Sequence, residues 1–178
     1  THSGAVNLNG QTVHNDFFLE GLGVAKQSTA DAPVTFTGAL VSFTNGNNTD
    51  TTRTGTVTGS ITLTGDAAIG SLGNLTLNGA IDASNYNLGF GVAGTLTLNG
   101  AVYSANRLGV LANQLTIGGQ AYLAAGSLGI APFSVPATPA AVARGIQLGD
   151  SVTGGSSSDL VIGSAAISRI ATYNLQIG

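Results

Sequence analysis

The chain has 178 residues, only 7% of them charged, and its formal net charge at pH 7 is −3. Nucleic-acid binding depends on clustered Lys and Arg side chains that release counterions from phosphates, so five scattered basic residues exclude nucleic acid as a partner. With 43% hydrophobic residues, the chain is also too apolar for the disordered class.

The residue types that are missing also restrict the interpretation. The chain has no Cys, which excludes disulfides and thiolate metal sites. No stretch approaches the roughly 20 apolar residues of a spanning helix, so we expect no membrane insertion. Because the chain has no Met, we expect a processed product whose targeting leader lies outside this sequence.

Residues 1–60 form the least regular part of the chain. Apolar–polar alternation that ends in a turn residue is typical of a short, half-buried strand. Such runs begin at Val6, Val34 and Ile61, which are more widely spaced than the runs that follow them. This wide spacing predicts an irregular or cap-like part.

A regular repeat follows in residues 61–130. The phrase LTLNG at 75–79 returns at 96–100 and, in weaker form, as LTIGG at 115–119. The steps from 75 to 96 and from 96 to 115 are each about 20 residues, which is close to the period of solenoid units. Gly and Asn at the ends of the phrases predict sharp corners with a positive φ.

The short repeat has a consequence for the fold. A unit of this size cannot bury its own apolar face, so copies must stack. Parallel stacking places Leu, Ile and Val inward and Thr and Asn outward, with like positions about 4.8 Å apart. Stacked like charges would repel, which accounts for their scarcity. We therefore predict an all-β, right-handed parallel β-helix; an antiparallel, pilin-like β-sandwich completed by a donated strand is the alternative.

The last third of the chain contains an interruption and then further strands. Three prolines follow Ile130, and residues 139–144 are predicted as a short helix, with Thr138 as N-cap, Pro139 at the first position and Gly145 after the end. Strand phrases resume at 146–178. We predict one β-domain, 1–178, made of a cap-like part at 1–60, repeats at 61–130, a Pro-rich interruption at 131–145 and terminal strands at 146–178.

Groups able to perform catalysis or hold a metal are few. The run GDSV at 149–152 is like a hydrolase nucleophile block, but no His follows Ser151. His14 and Asp16 are spaced to share a strand face, without a clear third metal ligand. A polysaccharide lyase would need clustered Asp, Lys and Arg, and the basic residues here are dispersed. We predict no catalytic residue, metal or cofactor, and so no enzyme.

Outward polar side chains are the candidate binding residues. The Thr and Asn residues of the phrases are expected to form one outward column that could hold carbohydrate or ice, like the flat Thr arrays of ice-binding solenoids. Three tyrosines fall at related places in successive units, where they either stack on one another or pack on sugar rings. The candidates are Thr62, Thr64, Thr76, Asn78, Thr97, Asn99, Tyr86, Tyr103 and Tyr122.

The final residues are candidates for assembly. The strand phrase at Leu175, Gln176 and Ile177 continues to the end of the sequence without a polar cap. A sheet that stops in this way leaves an open edge, which invites pairing with another strand. The terminal strand is therefore the predicted assembly surface.

The phrases GTLTLNG at 94–100 and DLVIG at 159–163, followed by SRIAT at 168–172, resemble the repeats of filamentous-haemagglutinin-type adhesins. The resemblance covers mainly residues 57–130 and 155–178. It implies export, a right-handed parallel β-helix and a role in adhesion or surface fibres. We therefore expect an extracellular or cell-surface structural protein that self-assembles into, or forms a segment of, a fibre or adhesin. Its expected partners are itself and host or surface glycans; binding of carbohydrate or ice is the alternative function.

Overall fold

The computed structural model describes residues 4–23, 26–27, 35–36, 38–43, 53–133, 145–149 and 159–178. These residues form sixteen strands and one short helix, so the predicted all-β class is confirmed. No helix among them is long and apolar enough to cross a membrane. The strands are β1 Val6–Asn7, β2 Thr12–Val13, β3 Phe17–Gly21, β4 Lys26–Gln27, β5 Thr35–Phe36, β6 Leu40–Ser42, β7 Thr54–Val57, β8 Ile61–Ser71, β9 Asn74–Leu77, β10 Ile81–Asp82, β11 Leu88–Leu98, β12 Val102–Ile117, β13 Leu123–Pro132, β14 Ile146–Leu148, β15 Leu160–Ile162 and β16 Ile170–Ile177, and the helix α1 is Ser164–Ile167.

Helix α1 lies in the segment 146–178, for which the sequence predicts strands. The predicted helix at 139–144 lies outside the described residues. Helix α1 follows β15, and only Ala166 among its residues is buried. So short a segment has no apolar periodicity, which explains why the sequence pattern does not predict it. The interruption also starts later than predicted, because β13 extends through Pro132.

The strands pair almost entirely in parallel. Among the described strands, only β4 and β5 pair antiparallel. Twelve strands belong to one large sheet, and every pairing in it is parallel. The antiparallel sandwich is therefore wrong for this sheet. Parallel neighbours need a long crossover between them, on the order of a dozen residues or more, and a repeat of about 20 residues supplies it.

Three columns of inward apolar residues run through the large sheet, each continuing in register from strand to strand. In the central repeats successive members follow the predicted step of about 20 residues, so that step is confirmed. Column A contains Phe17, Ile61, Ile81, Val102, Leu123 and Ile170. Column B contains Val6, Leu40, Ile69, Phe90, Val110, Ile130 and Ile177. Column C contains Val13, Val57, Leu77, Leu98 and Ile117.

The three columns share one core. The longest strands contribute to more than one column, and the pairings β8–β10, β10–β12, β12–β11 and β11–β8 close a ring of four strands. Central members of every column belong to a single buried hydrophobic cluster. Each fully buried Val, Leu, Ile or Phe side chain contributes about 1.5–3 kcal/mol, so this cluster is the main source of stability. β15 adds Leu160 and Ile162, both 0% exposed.

The corners between columns C and A depend on stacked glycines. A Cβ on Gly79 would lie 1.9 Å from the Gly59 carbonyl oxygen, and one on Gly100 would lie 2.0 Å from the Gly79 carbonyl oxygen. Neither Gly79 nor Gly100 has a positive φ. The prediction that glycine is needed at these corners to provide a positive φ is therefore wrong. Glycine is needed there because one backbone passes directly against the next.

Replacing a corner glycine tests this close approach. We expect Gly100→Ala to lower the free energy of unfolding by about 1–3 kcal/mol, because the new methyl group must displace backbone. The matched control is Gly109→Ala in mid-strand, where a Cβ meets nothing within 4 Å and the expected change is within about 0.5 kcal/mol. Chemical denaturation of both variants measures the difference. Equal stabilities would contradict the packing argument.

Candidate functional site

A column of threonines runs along the outer surface of the strands that carry column C. Thr12, Thr56, Thr76, Thr97 and Thr116 pair successively in register, and we call them the threonine column. Strand spacing sets these residues about 4.8 Å apart. Within the described part of the chain, none of the five hydroxyls has a hydrogen-bond partner.

Two rows of polar residues flank the threonine column, and their side chains bond from one strand to the next. In one row, the Thr95 hydroxyl donates to Gln114 Oε1 at 2.9 Å. In the other, Asn99 Nδ2 donates to Asn78 Oδ1 at 2.8 Å. These bonds hold the flanking side chains in place beside the free hydroxyls. The flanking rows are Thr54, Asn74, Thr95 and Gln114 on one side and His14, Thr58, Asn78 and Asn99 on the other.

The predicted outward column is only partly correct. Thr76 with Asn78 and Thr97 with Asn99 do stack on one face. Thr62 instead pairs with Asp82 on the strands of column A, and the Thr64 hydroxyl donates to the Leu19 carbonyl at 3.4 Å. The phrases at 61–65 and 75–79 look alike, but their separation along the chain is less than one full repeat.

Sequence reasoning missed three members of the threonine column. Thr56 lies one repeat step before Thr76, and Thr116 lies one step after Thr97. Counting the repeat step outward from the clearest phrases would therefore have found both. Thr12 is separated from Thr56 by much more than one step, and only the pairing of β2 with β7 places it in the column.

The predicted tyrosine ladder is wrong. Tyr103 pairs with Asp82 and follows Val102 by one residue. Tyr122 instead precedes Leu123, the partner of Val102, by one residue, so Tyr103 and Tyr122 are not in register. The Tyr86 carbonyl accepts from the Asn106 N–H at 3.1 Å, so Tyr86 occupies a third position. Successive tyrosines are closer together along the chain than the residues of column A that do share a register, and they therefore fall out of step with one another.

The predicted assembly residues lie on a strand with an open edge. Among the described strands, β16 pairs only with β13. Leu175 points inward, in register with Leu108 and Leu128, yet it is 46% exposed where they are 2% and 1% exposed. Gln176 is in register with Gly129 on the outer surface. Ile177 is half-buried at the end of column B.

The opposite end of the sheet is open in the same way. Val6 begins column B and is 48% exposed, while its register neighbours Leu40 and Ile69 are both 0% exposed. Among the described strands, β1 pairs only with β6. Inward apolar side chains, Val6 at one end and Leu175 at the other, are therefore accessible at both ends of the sheet.

The polar groups considered as metal ligands form hydrogen bonds to neighbouring residues of the structure. His14 Nδ1 lies 2.8 Å from the Thr58 hydroxyl oxygen. Asp16 Oδ1 accepts from the Ser60 backbone N–H at 2.7 Å and from the Ser60 hydroxyl at 2.9 Å. Within the described residues, no three His, Cys, Asp or Glu side chains are grouped around a common point. Asp150 and Ser151 of the GDSV run lie outside the described residues.

Two exposed carboxylates link neighbouring repeats. The Ser60 N–H and hydroxyl hold the pKa of Asp16 below its ordinary value of 3.8. The Asn87 backbone N–H and side-chain amide, at 2.9 and 2.8 Å, lower the pKa of Asp66 in the same way. Both carboxylates stay ionised at neutral pH as hydrogen-bond acceptors.

The lowered pKa of Asp66 predicts a pH dependence of stability. Because the folded-state pKa lies below the unfolded value of 3.8, the contribution of Asp66 is present above that value and is lost as pH falls through the folded pKa. We expect Asp66→Asn to melt at a lower temperature at pH 7 and to lose less stability on acidification. Thermal melts from about pH 7 to about pH 2 measure this. The same pH dependence in both proteins would contradict it.

No family model, curated protein or solved structure matches the chain. Its function must therefore be inferred from the surfaces that the fold creates. These are the threonine column with its flanking rows and the open edge of β16.

Proposed function

We propose that the protein is a secreted structural protein that self-assembles into, or forms a segment of, an extracellular fibre or cell-surface adhesin by β-strand addition. The observation that carries the proposal is the exposure of Leu175, 46% against 1% for Leu128 in the same inward register. A further strand on the open edge of β16 would bury Leu175 and pair the free backbone groups.

We interpret columns A, B and C as the three faces of a right-handed parallel β-helix. From β8 to β13 the chain passes from column B to column C to column A and back to B. Each turn of the central repeats takes about 20 residues, as solenoid units do. Crossovers between parallel strands of one sheet are right-handed in about 98% of cases. The pairing order supports the helical course of the chain, and the chirality rule supports its right-handed sense.

The two ends of such a helix are compatible with each other. Column A begins at Phe17 and finishes at Ile170, and column B begins at Val6 and finishes at Ile177. One copy could therefore stack on the next with the same columns aligned. Contact between two different ends is heterologous, and where its rotation does not close into a ring it generates an open filament rather than a dimer.

The C-terminal end has the apolar character that such a contact needs. Strand β16 reads IATYNLQI and contains no charged residue that would oppose pairing. Beside it lies an open depression of about 470 Å³, lined by Pro132, Ile146, Leu148, Ile177 and Gly178. An exposed apolar side chain such as Val6 of a second copy would find apolar contacts there.

A second candidate function is the binding of ice or carbohydrate by the polar face. The unpartnered hydroxyls of the threonine column favour it. The tyrosines proposed for sugar stacking lie elsewhere, since Tyr103 pairs with Asp82 on the strands of column A. Between the two ligands, the observation favours ice.

Substitution at the open edge tests assembly. Electron microscopy of the purified protein should show filaments with an axial repeat, and sedimentation should show large particles. We expect Leu175→Lys to leave monomers, because an inward charge at the contact would be buried without a partner. The matched control Gln176→Lys places the same charge on the outer face of the same strand and should still assemble.

Two results would contradict this proposal for assembly. One is a stable wild-type monomer at high concentration. The other is equal assembly of Leu175→Lys and Gln176→Lys. Circular dichroism and thermal melts of both variants check that each is folded, which we expect because both side chains are exposed in the monomer.

A further inference from the structure

The threonine column lies along the side of the proposed helix and takes no part in contact between its ends. We propose that this column, with its flanking rows, binds the surface of an ice crystal. The inference deepens the second candidate function and is independent of filament formation. It depends on spacing, rigidity, free hydroxyls and the absence of charge.

The spacing of the surface favours a periodic ligand. Five threonines repeat along the column about 4.8 Å apart. Across each strand, the flanking residues sit two positions away, which is about 6.6 Å. Polar side chains occupy both flanking positions on the strands of Thr56, Thr76 and Thr97, whereas Gly10 and Gly118 each take one flanking position beside Thr12 and Thr116. Polar groups are thus regular in two directions over the three middle strands. A crystal face repeats in two directions and can meet many such groups at once, whereas a short oligosaccharide meets only a few.

The surface is also held in place before any ligand arrives. Threonine is β-branched, so its side chain has few rotamers to lose on binding. The flanking side chains bond between strands, as in the Asn99–Asn78 pair at 2.8 Å. Rigid groups lose little entropy when they bind, which lowers the cost of association.

The threonine hydroxyls are the groups available to the ligand. None of the five has a partner within the described part of the chain, whereas the neighbouring Thr95 hydroxyl bonds to Gln114. Thr76 and Thr97 are half-buried, so their side chains are held against the strand surface. Each therefore presents a methyl group beside its hydroxyl in a fixed position. Hydroxyls can bond to ordered water while the methyl groups exclude disordered water.

The composition of the surface argues against other ligands. The four strand segments 54–58, 74–78, 95–99 and 114–118 contain no charged residue, so they offer nothing to an ionic partner. The strand that carries Thr12 differs, because the Arg53 side chain lies against Gly10 and the imidazole of His14 lies beside Thr58. The four segments also contain no aromatic residue on which a sugar ring could stack. An uncharged hydroxyl lattice fits a neutral ligand made of regularly placed hydrogen-bonding groups, and ice is such a ligand.

The test is thermal hysteresis of the purified full chain, together with its incorporation into a slowly growing ice hemisphere. We expect the wild type to show both, and the double variant Thr76→Lys/Thr97→Lys to lose both. Thr62→Lys is the matched control, because Thr62 stands in a similar phrase but lies on the strands of column A. It should retain the wild-type hysteresis. Circular dichroism checks that all three proteins are folded.

A second substitution separates ice binding from a general effect of charge. Thr97→Val keeps the shape and removes one hydroxyl from the column, so hysteresis should fall without any new charge. Absence of hysteresis in the wild type would overturn the proposal, as would equal loss in Thr62→Lys and in the double variant. Binding to crystalline cellulose but not to ice would also overturn it. Filaments without hysteresis would leave the assembly proposal intact and remove this one.

Discussion

Parallel stacking of one repeat on the next, in register, is the interaction on which the rest of the structure depends. A single repeat cannot pair its own backbone groups or bury its own apolar side chains. Stacking does both at once, which is why central residues such as Ile69 and Leu123 are 0% exposed. The same dependence explains the two ends. Val6 and Leu175 are accessible because no described strand lies beyond them.

Register also determines what the outer surface can contain. A residue type that recurs in each repeat becomes a column, so repeated Thr produces a line of hydroxyls and repeated Asn produces a line of bonded amides. A repeated charge would produce a line of like charges at strand spacing, which is destabilising. Scarcity of charge therefore follows from stacking, and the strand segments 54–58, 74–78, 95–99 and 114–118 that carry most of the threonine column contain no charged residue.

The clearest repeats could be predicted from sequence because the two phrases at 75–79 and 96–100 are identical and one full step apart. Similar phrases misled the prediction where their spacing differed from that step, as for Thr62. The predicted tyrosine ladder is wrong for the same reason. Tyr86 and Tyr103 are closer along the chain than Ile81 and Val102, which do pair in register. Spacing, not likeness of residues, decides which side chains meet in a stacked sheet.

The sequence alone, through its alternation, glycine placement and low charge, determined that the chain is all-β. It also determined that the central strands stack in steps of about 20 residues and that Leu faces inward while Thr faces outward. Tertiary structure decided which phrases share a column, that Thr12, Thr56 and Thr116 complete the hydroxyl line, and that corner glycines are required by backbone contact. The physical reason is that alternation is a local property of one strand, whereas register depends on the length and course of every connection between strands.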